Sequence, residues 1–214
     1  MNVGRRMSHP VITVTPNTTI TKAHELMATE NINQCPVVKN GKLIGLITEK
    51  DILKAYPSSA TTLAVWEITS LVEKIKVEDL MIKEFQTVQE DTPIETAARI
   101  LVDHKISALP VLRGKELVGI ITEADLFKIM LEMLGARRPG VRFTVLMENR
   151  PGEIAKLSQA IYKNGGDITA LSTFEGDSSS NFMITMKVDG IEQSALKGLV
   201  EPLVLKLLSI GASE

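Results

Sequence analysis

In the first 135 residues, the same succession of apolar patterns occurs two times. Each copy begins with a β-rich stretch, VITVTP or FQTVQE, and continues with apolar residues at every third or fourth position, as on one face of a helix. These apolar stripes are Ile20, Ala23, Leu26 and Met27 in the first copy, and Ile94, Ala97, Ile100 and Leu101 in the second. The pattern predicts a short strand and then an amphipathic helix in each copy.

The residues before each helix predict where it begins. Thr18 and Thr92 are the N-cap candidates, since a threonine hydroxyl accepts a hydrogen bond from the free amides of a first helical turn. Pro93 is then the first helical residue, and Glu95 stands three residues after Thr92, as in a capping box. We therefore expect both helices to begin directly after these threonines.

Two β-rich runs after each helix predict a hairpin. In the first copy they flank Asn40-Gly41, which is typical of a type I′ turn because both central residues need positive φ. The second copy has Arg113-Gly114-Lys115-Glu116 there, which predicts a longer or less regular turn.

Each hairpin ends in nearly the same phrase, GLITEKD or GIITEAD, in which Thr48 precedes Asp51 and Thr122 precedes Asp125. As a helix start, each pair is a capping box and nothing more. As a site, the leading glycine lets backbone approach a ligand, the helix N-terminus attracts phosphate, and the carboxylate accepts both hydroxyls of a ribose. The two roles are compatible if the threonine caps the helix through a lone pair and keeps its hydroxyl proton for a ligand.

The phrases belong to a longer repeat with a period of 74 residues. Residues 3–53 align with residues 77–127 without a gap, and about sixteen of roughly fifty positions are identical, which marks a duplicated unit. A unit of about fifty residues buries too little surface to be stable alone. We expect the two copies to pack against each other.

The last third predicts a different unit of strands and helices. VRFTVLME is a strand, and the helix PGEIAKLSQAIYKNGG follows with Ile154, Leu157 and Ile161 inward. DITALSTFE and NFMITMKVD predict antiparallel strands joined by GDSSS, and IEQSALKGLVEPL predicts a final helix before an apolar tail that can form a last strand. One face of NFMITMKVD carries Phe182, Ile184, Met186 and Val188.

Two segments connect these parts. Residues 59–76 include apolar residues at helical spacing and the only tryptophan, Trp66. This linker helix either packs on a core or serves as a cover or dimer contact. Gly135 to Gly140 predicts a linker before the last third.

Composition and charge exclude several classes of protein. Twenty-four Lys+Arg against 26 Asp+Glu leave a net charge of -2, so no nucleic-acid partner is expected. There is no signal-peptide core and no run of about 18 apolar residues, so we expect a cytoplasmic protein with no membrane partner. The single cysteine, Cys35, fits a reducing compartment and excludes a zinc site made of several thiolates.

No arrangement of catalytic residues is visible in the sequence. His9, His24 and His104 lie in different predicted elements without metal-ligand spacing, and the last two are expected on exposed helix faces. Gly-x-Ser-x-Gly, Walker A and Gly-x-Gly-x-x-Gly motifs do not occur, and Cys35 precedes a proline in an apolar strand. We predict that the protein is not an enzyme and uses neither cofactor nor metal.

Each copy has the order strand, helix, hairpin and helix, with the motif Gly-h-x-Thr-x-x-Asp, where h is apolar, before the last helix. Two such copies in tandem resemble a pair of CBS domains, the regulatory Bateman module. The resemblance implies an α+β fold in which two βαββα copies pack about a pseudo-twofold axis and leave two clefts. It places the copies at residues 1–58 and 77–135, on either side of the linker helix at 59–76.

The resemblance also implies adenosine-containing ligands, which are AMP, ADP, ATP or S-adenosylmethionine. Each cleft takes Thr and Asp from one copy, while segments that are often from the other copy enclose the base. One cleft would use Thr48, Lys50 and Asp51 with Gln86, Thr87, Ser107, Ala108, Leu109 and Pro110. The other would use Thr122 and Asp125 with Ile12, Thr13, Asn33, Gln34, Cys35 and Pro36.

The two clefts differ in charge. Lys50 can reach a phosphate beside Asp51, whereas Ala124 occupies the equivalent place, so the Asp51 cleft should favour phosphorylated ligands. Members of the family often carry a basic residue shortly before the pre-proline dipeptide, where Asn33 and Ser107 stand here. This departure argues against a triphosphate and leaves a monophosphate or S-adenosylmethionine open.

Residues 141–210 resemble an ACT domain, a ferredoxin-like module that frequently binds amino acids. The matching residues are Asn149-Arg150-Pro151-Gly152 and Gly165-Gly166-Asp167-Ile168. The resemblance implies an amino-acid site at Asn149, Arg150, Gly152 and Ile168, although aspartate is usual where Asn149 stands. The alternative is a domain that serves dimerisation or packing.

Together these resemblances imply a homodimeric regulatory sensor that binds an adenine nucleotide or adenosine derivative and acts in trans on another protein. The linker helix and domain order resemble those of bacterial acetoin-utilisation proteins, which suggests a link to acetoin or acetyl metabolism. The alternative is a ligand-free scaffold built from the same domains.

Overall fold

The computed structural model describes residues 1–56 and 71–213. The chain divides into two compact units, Met1–Leu126 and Phe127–Glu214. Most of the predicted linker helix at 59–76, including Trp66, lies outside the described residues. Val72, near the end of that segment, is buried in the core of the first copy.

The first unit contains both copies of the repeat up to Leu126, within the last helix of the second copy, and the predicted order of helix, hairpin and helix is confirmed in each. The first copy comprises α1 Ile20–Glu30, β1 Gln34–Lys39, β2 Lys42–Thr48 and α2 Glu49–Ala55. The second comprises α3 Val77–Leu80, β3 Val88–Gln89, α4 Ile94–His104, β4 Ala108–Arg113, β5 Glu116–Thr122 and α5 Glu123–Met133. The strand predicted at VITVTP is reduced to one parallel bridge between Val14 and Val37, and FQTVQE forms only β3.

The predicted helix starts are wrong by one residue in both copies. Helix α1 is capped by Thr19, whose hydroxyl accepts from the Lys22 amide at 3.4 Å. Helix α4 begins after Pro93, which is itself extended, so the predicted capping box at Thr92 does not form. Thr92 instead accepts from the amide of Gln89, and Thr18 closes the same turn in the first copy. These threonines stabilise the turn before the helix.

Both hairpins have two-residue turns. Asn40 and Gly41 have φ of 52° and 74°, as the type I′ prediction requires. In the second copy Arg113 pairs directly with Glu116, and Gly114 alone takes a positive φ, of 63°. The longer turn predicted there is wrong, because glycine in the first central position permits a compact turn of the II′ kind.

The two copies exchange their first segments. Val3 is buried in the core of the second copy, and its counterpart Val77 is buried in the core of the first. The hydrogen bonds are reciprocal as well: the Ile82 amide donates to the Leu46 carbonyl at 2.7 Å, and the Ser8 amide donates to the Ile120 carbonyl at 2.8 Å. The expected packing of the copies against each other is therefore built on exchanged backbone and core residues.

The glycine that opens each repeated phrase lies under a methionine of the other copy. A Cβ atom at Gly45 would lie 2.8 Å from Met81 Sδ and 3.0 Å from the Ile82 carbonyl oxygen. A Cβ atom at Gly119 would collide with Met7 in the same way. The expectation that these glycines let backbone approach a ligand is wrong, because the exchanged segment occupies that space.

Gly45→Ala is expected to lower the free energy of unfolding by about 1 to 3 kcal/mol, because the added methyl overfills this contact. The double variant with Met81→Ala should recover part of the loss, since the sulfur that the methyl meets is removed. Urea unfolding of the single and double variants measures the coupling. If Gly45→Ala costs the same free energy of unfolding in wild-type protein and in Met81→Ala, the contact with Met81 is not the reason that glycine is required at position 45.

The second unit is a four-stranded antiparallel sheet with helices. It comprises β6 Gly140–Glu148, α6 Glu153–Lys163, β7 Asp167–Glu175, β8 Asn181–Asp189, α7 Gln193–Val200 and β9 Lys206–Ser213, in sheet order β7-β8-β6-β9. This order of elements, with the last strand, agrees with the sequence prediction. Membership of the ACT family remains a prediction.

The core of this unit lies on one face of the sheet. Leu157 and Ile161 of α6 pack on Ile184, Met186 and Val188 of β8, as the alternation predicted. Ile154 was predicted to face inward with them but is 37% exposed, because it lies in the first turn of the helix and lines a surface cavity.

The predicted linker at 135–140 contributes to packing in the second unit. Gly135 is buried, and its carbonyl oxygen accepts a hydrogen bond from Lys187 Nζ at 3.0 Å. Lys187 is only 2% exposed although it carries a charge. The start of the segment is therefore held on β8 by a buried lysine.

Candidate functional site

A cavity of about 980 Å³ lies in the first unit, where the second hairpin strand of the first copy faces the loops of the second copy. Six predicted site residues of the Asp51 cleft line it, namely Thr48, Lys50, Asp51, Gln86, Ser107 and Ala108. The other lining residues are Asn33, Gln34, Leu46, Glu49, Ile82, Glu84, Phe85, His104, Lys105, Ile106 and Glu123. Residues that are distant in sequence thus converge on one concave surface.

Three residues predicted for this cleft do not line the cavity. Leu109 and Pro110 are buried inside β4, and Thr87 is partly buried beside β3. The prediction extended the pre-proline segment too far along β4, whose residues 108–111 are all buried.

Asn33 and Gln34 were predicted for the other cleft but line this one. Gln34 pairs with Thr48 across the β1–β2 ladder, so it lies beside the threonine of its own copy. The remaining residues predicted for the other cleft do not line this cavity: Ile12, Thr13, Cys35, Pro36, Thr122 and Asp125. Thr122 and Asp125 lie at the start of α5, as the repeat requires.

Thr48 and Asp51 form a complete capping box at the start of α2. Thr48 Oγ1 accepts from the Asp51 amide at 3.2 Å, and Asp51 Oδ2 accepts from the Thr48 amide at 3.3 Å. Thr122 and Asp125 repeat both contacts, at 3.2 and 3.1 Å. The capping reading of the repeated phrase is confirmed in both copies.

The threonine hydroxyls also contact the aspartates. Thr48 Oγ1 donates to Asp51 Oδ2 at 2.6 Å, and Thr122 Oγ1 donates to Asp125 Oδ2 at 2.8 Å. A role of these hydroxyl protons in ligand binding stays a prediction. Asp51 Oδ1 lies 3.6 Å from Lys54 Nζ, and the Asp51 side chain is 19% exposed. Asp51 can thus cap the helix with one oxygen and present the other to the cavity, while Asp125 is more buried, at 7% exposed.

Charged residues of both signs line the cavity. Lys50 and Lys105 are its exposed cations. The carboxylates are those of Glu49, Asp51, Glu84 and Glu123. His24 Nε2 lies 3.4 Å from Glu49 Oε1, and the His24 side chain is 33% exposed, so the histidine predicted on an exposed helix face is partly buried.

Sequence reasoning missed His104 and Lys105 as lining residues. Both stand at the end of α4, where the helix C-terminus meets the loop to β4. The signal was present in the repeat alignment, because the counterparts of these residues are Glu30 and Asn31 and the charge therefore differs between copies.

A second cavity, of about 1030 Å³, lies in the second unit between the start of α6 and the β7–β8 loop. It is lined by Asn149, Arg150 and Gly152, which were predicted to bind an amino acid, but not by Ile168. Asn149 Nδ2 donates to the Ser179 carbonyl at 3.0 Å, and Arg150 pairs with Glu148 at 2.9 Å. Ile168 instead packs against the core, because its side chain lies on the inner face of β7.

The described residues contain no group of three or more His, Cys, Asp or Glu side chains that could hold a metal ion. Burial raises the pKa of the Cys35 thiol to about 11, which disfavours the reactive thiolate. Within the same part of the chain, we find no helix whose length and apolarity would suffice to span a bilayer.

Residues 3–58 and 77–132 match the CBS domain. The chain belongs to the CBS-domain family. The matched residues coincide with the two copies that enclose the Asp51 cavity.

Curated relatives of this CBS-domain chain include a CBS-domain protein that the match covers for most of its length and enzymes that it covers only in part. The CBS domain-containing protein YhcV of Bacillus subtilis is 30% identical over 125 residues, which cover 58% of this chain and 82% of YhcV. An A-adding tRNA nucleotidyltransferase of Geobacter sulfurreducens is 33% identical over 124 residues, which cover 58% of this chain and 13% of the enzyme. The match spans only 13 to 32% of three such curated relatives, so it concerns a part of each.

Solved CBS structures resemble the chain over a similar extent. A Vibrio cholerae protein described as an acetoin utilization protein (AcuB) is 28% identical, with a TM-score of 0.54, and the match covers 64% of this chain and 95% of that one. The CBS domain pair of protein MJ0100, in complex with 5′-methylthioadenosine and S-adenosyl-L-methionine, is 30% identical with a TM-score of 0.51, covering 61% and 95%. CBSX2 in complex with AMP is 27% identical with a TM-score of 0.52, covering 61% and 96%.

Proposed function

We propose that this CBS-domain protein is a regulatory sensor that binds an adenosine derivative in the Asp51 cavity. The observation that carries the proposal is the convergence of Thr48, Asp51, Gln86 and Ser107 on one concave site of about 980 Å³. This volume is within the range of small-molecule pockets. Similar CBS pairs bind AMP, S-adenosylmethionine or 5′-methylthioadenosine, which share an adenosine group.

The cavity offers chemistry that suits adenosine. Asp51 Oδ1 can accept hydroxyls of a ribose while Oδ2 remains in the capping box. Gln86 and Gln34 provide amide groups that can hydrogen-bond a base, and Ile82, Phe85 and Ile106 provide apolar surface against which it can pack. The site therefore offers one charged acceptor for the sugar and a mixed surface for the ring.

The regulatory effect is proposed to act in trans, on a partner protein. The chain matches relatives over the CBS pair, while its second unit carries a βαββαβ order that supports the ACT assignment. In this proposal the second unit binds an amino acid at Asn149, Arg150 and Gly152, or contributes to a homodimer. The similarity to AcuB supports a role in acetoin metabolism.

The alternative is a ligand-free scaffold, and one observation favours it. The repeated Thr-x-x-Asp phrase satisfies its own hydrogen bonds in both copies, so the fold explains the phrase without any ligand. Ligand occupancy therefore separates a sensor from a scaffold that only holds partners together.

Thermal unfolding of the full chain with AMP, ADP, ATP, S-adenosylmethionine and amino acids tests the proposal. A ligand at 100 times its dissociation constant stabilises by about 2.7 kcal/mol, which for a chain of this size is a rise of about 5 to 11 °C. We expect this rise with an adenosine compound, and GMP serves as the matched control for the base. No shift with any adenosine compound would contradict the sensor and favour the scaffold.

A further inference from the structure

We infer that the second unit has an anion-binding site of its own, at the turn that follows α5, for a compact oxyanion with two or more negative charges. The site is a cavity of about 390 Å³ that is lined by Lys128, Leu131, Glu132, Gly135, Arg137 and Arg138. This volume is in the range of small-molecule pockets. The cavity shares no lining residue with the Asp51 cavity, so the anion site does not depend on the proposed function.

Positive charge is concentrated in this part of the chain. Residues 127–142 contain four cations and one acidic residue, a net charge of +3, whereas the whole chain has a net charge of -2. The cations are Lys128, Arg137, Arg138 and Arg142, and the acidic residue is Glu132. Arg137 and Arg138 are exposed, and within the described part of the chain their guanidinium groups make no hydrogen bond or ion pair. Both are therefore available to an anion.

The sheet next to this turn repeats the excess of positive charge. Arg142 of β6 and Lys187 of β8 are directly opposed in the antiparallel ladder, so their side chains lie on the same face of the sheet. Like charges at opposed positions are destabilising. Gly135, which lines the cavity, accepts a hydrogen bond from Lys187 Nζ, so the turn lies on this same face. A bound anion would offset the repulsion among these cations.

Helix capping does not explain the two arginines. Cations near a helix C-terminus can donate to its last carbonyl groups and stabilise the helix dipole. Helix α5 instead ends in a Schellman motif, in which the Gly135 amide donates to the Glu132 carbonyl at 3.0 Å and the Ala136 amide donates to the Leu131 carbonyl at 2.9 Å. These carbonyls therefore need no arginine as a donor.

The turn that carries the arginines is packed closely on the sheet at both ends. A Cβ atom at Gly135, whose φ is 60°, would lie 3.1 Å from Ala170 Cβ of β7. A Cβ atom at Gly140 would lie 2.8 Å from the Val188 carbonyl oxygen of β8. Glycine permits both close approaches, which fix the backbone on either side of the arginines. A preorganised turn lowers the entropic cost of holding them on a ligand.

The residue types indicate which anions fit. The arginine guanidinium is a planar fork of N–H donors that binds a phosphate or a carboxylate group through two parallel hydrogen bonds. Two adjacent arginines therefore suit an oxyanion with two neighbouring acidic groups. Pyrophosphate and citrate represent the two sources of such groups, phosphoryl and carboxyl.

Isothermal titration calorimetry on the full chain, with pyrophosphate and with citrate, tests the site. The variants are Arg137→Gln and Arg138→Gln, which remove the charge and keep a polar side chain. Lys163→Gln is the matched control, because it removes one exposed cation of the second unit outside the cavity. Sodium acetate at the same ionic strength controls for screening of surface charge.

We expect wild-type protein to bind at least one of the two anions, and each arginine variant to bind it about tenfold more weakly, as loss of a charge-assisted contact does. Lys163→Gln should leave the affinity unchanged, and acetate should not compete. Without anion, neither arginine variant should unfold at a lower temperature than wild type, because each removes one of several crowded cations. Binding of pyrophosphate alone would identify a phosphoryl ligand, and binding of citrate alone a polycarboxylate.

Two kinds of result would overturn this site. If neither anion binds wild-type protein, or if both arginine variants bind as tightly as wild type, the turn is not an anion site. If both arginine variants unfold at a lower temperature and their affinity for the anions is unchanged, the arginines serve the helix dipole instead. Neither result affects the Asp51 cavity, where binding of adenosine compounds is measured separately.

Discussion

Asp51→Ala is expected to weaken AMP binding by about a hundredfold while lowering the free energy of unfolding by only about 1 kcal/mol. The Asp51 carboxylate would accept two ribose hydroxyls in charge-assisted hydrogen bonds that each contribute about 1.5 to 3 kcal/mol. A hundredfold change in affinity, about 2.7 kcal/mol, is therefore the lower end of the expected loss. The cap loses less, because Thr48 Oγ1 still accepts the amide of residue 51.

The second copy supplies the matched control. Asp125→Ala removes the same capping contact, with nearly the same geometry, so it should have a similar cost in stability. It should leave AMP affinity in the Asp51 cavity unchanged, because Asp125 does not line that cavity. Calorimetry with AMP and 2′-deoxy-AMP sharpens the test. Proteins that keep the Asp51 carboxylate should bind AMP more tightly than 2′-deoxy-AMP, whereas Asp51→Ala should bind both equally. Equal discrimination in Asp51→Ala would show that Asp51 does not bind the ribose.

Lys187→Ala is expected to lower the free energy of unfolding of the second unit by about 2 to 4 kcal/mol. Lys187 is almost completely buried on β8, so truncation leaves a cavity where its methylene groups packed. The Gly135 carbonyl would also lose its donor at 3.0 Å. Hydrogen exchange of the β6 and β8 amides in the full chain measures the free energy of opening in this unit.

Lys187→Met separates packing from hydrogen bonding. Methionine keeps most of the buried volume and cannot donate to Gly135, so the loss should be smaller than for alanine. A buried charge also carries a desolvation cost, which the methionine removes. If both variants exchange at the wild-type rate, Lys187 contributes no net stability, and the segment that begins at Gly135 is held by other contacts.

The sequence predicted the local elements well because their signals are local. The apolar period of three or four residues fixed α1 and α4, and Asn40-Gly41 fixed the first hairpin turn. The helix starts failed by one residue because Pro93 was assigned to the helix, although its extended backbone places it before the first turn. A threonine before a helix can cap it or close the preceding turn, and the sequence does not distinguish these roles.

Predictions failed where residues of the two copies meet. The glycine of each repeated phrase was interpreted as an approach for a ligand, whereas Met81 and Met7 occupy that space. Such packing depends on an exchange of segments that no local period encodes. The presence of Gln34 in the Asp51 cavity was missed for a similar reason, because its pairing with Thr48 follows from strand register rather than from the motif. Thr48, Lys50 and Asp51 were correctly predicted to lie together, since residues within four consecutive positions are close in any fold.

The reciprocal exchange of Val3 and Val77 has a consequence for how the duplicated chain differs from two separate halves. Each half supplies a valine that completes the other, so two identical halves could assemble as a symmetric pair with two equal sites. Joining two halves in one polypeptide fixes their ratio at one to one. It also lets each half change in sequence separately, whereas a substitution in identical halves would alter both sites. Lys50 and Lys105 can therefore line one cavity while Ala124 and Asn31 occupy the equivalent positions of the other copy, an asymmetry that an assembly of identical halves cannot achieve.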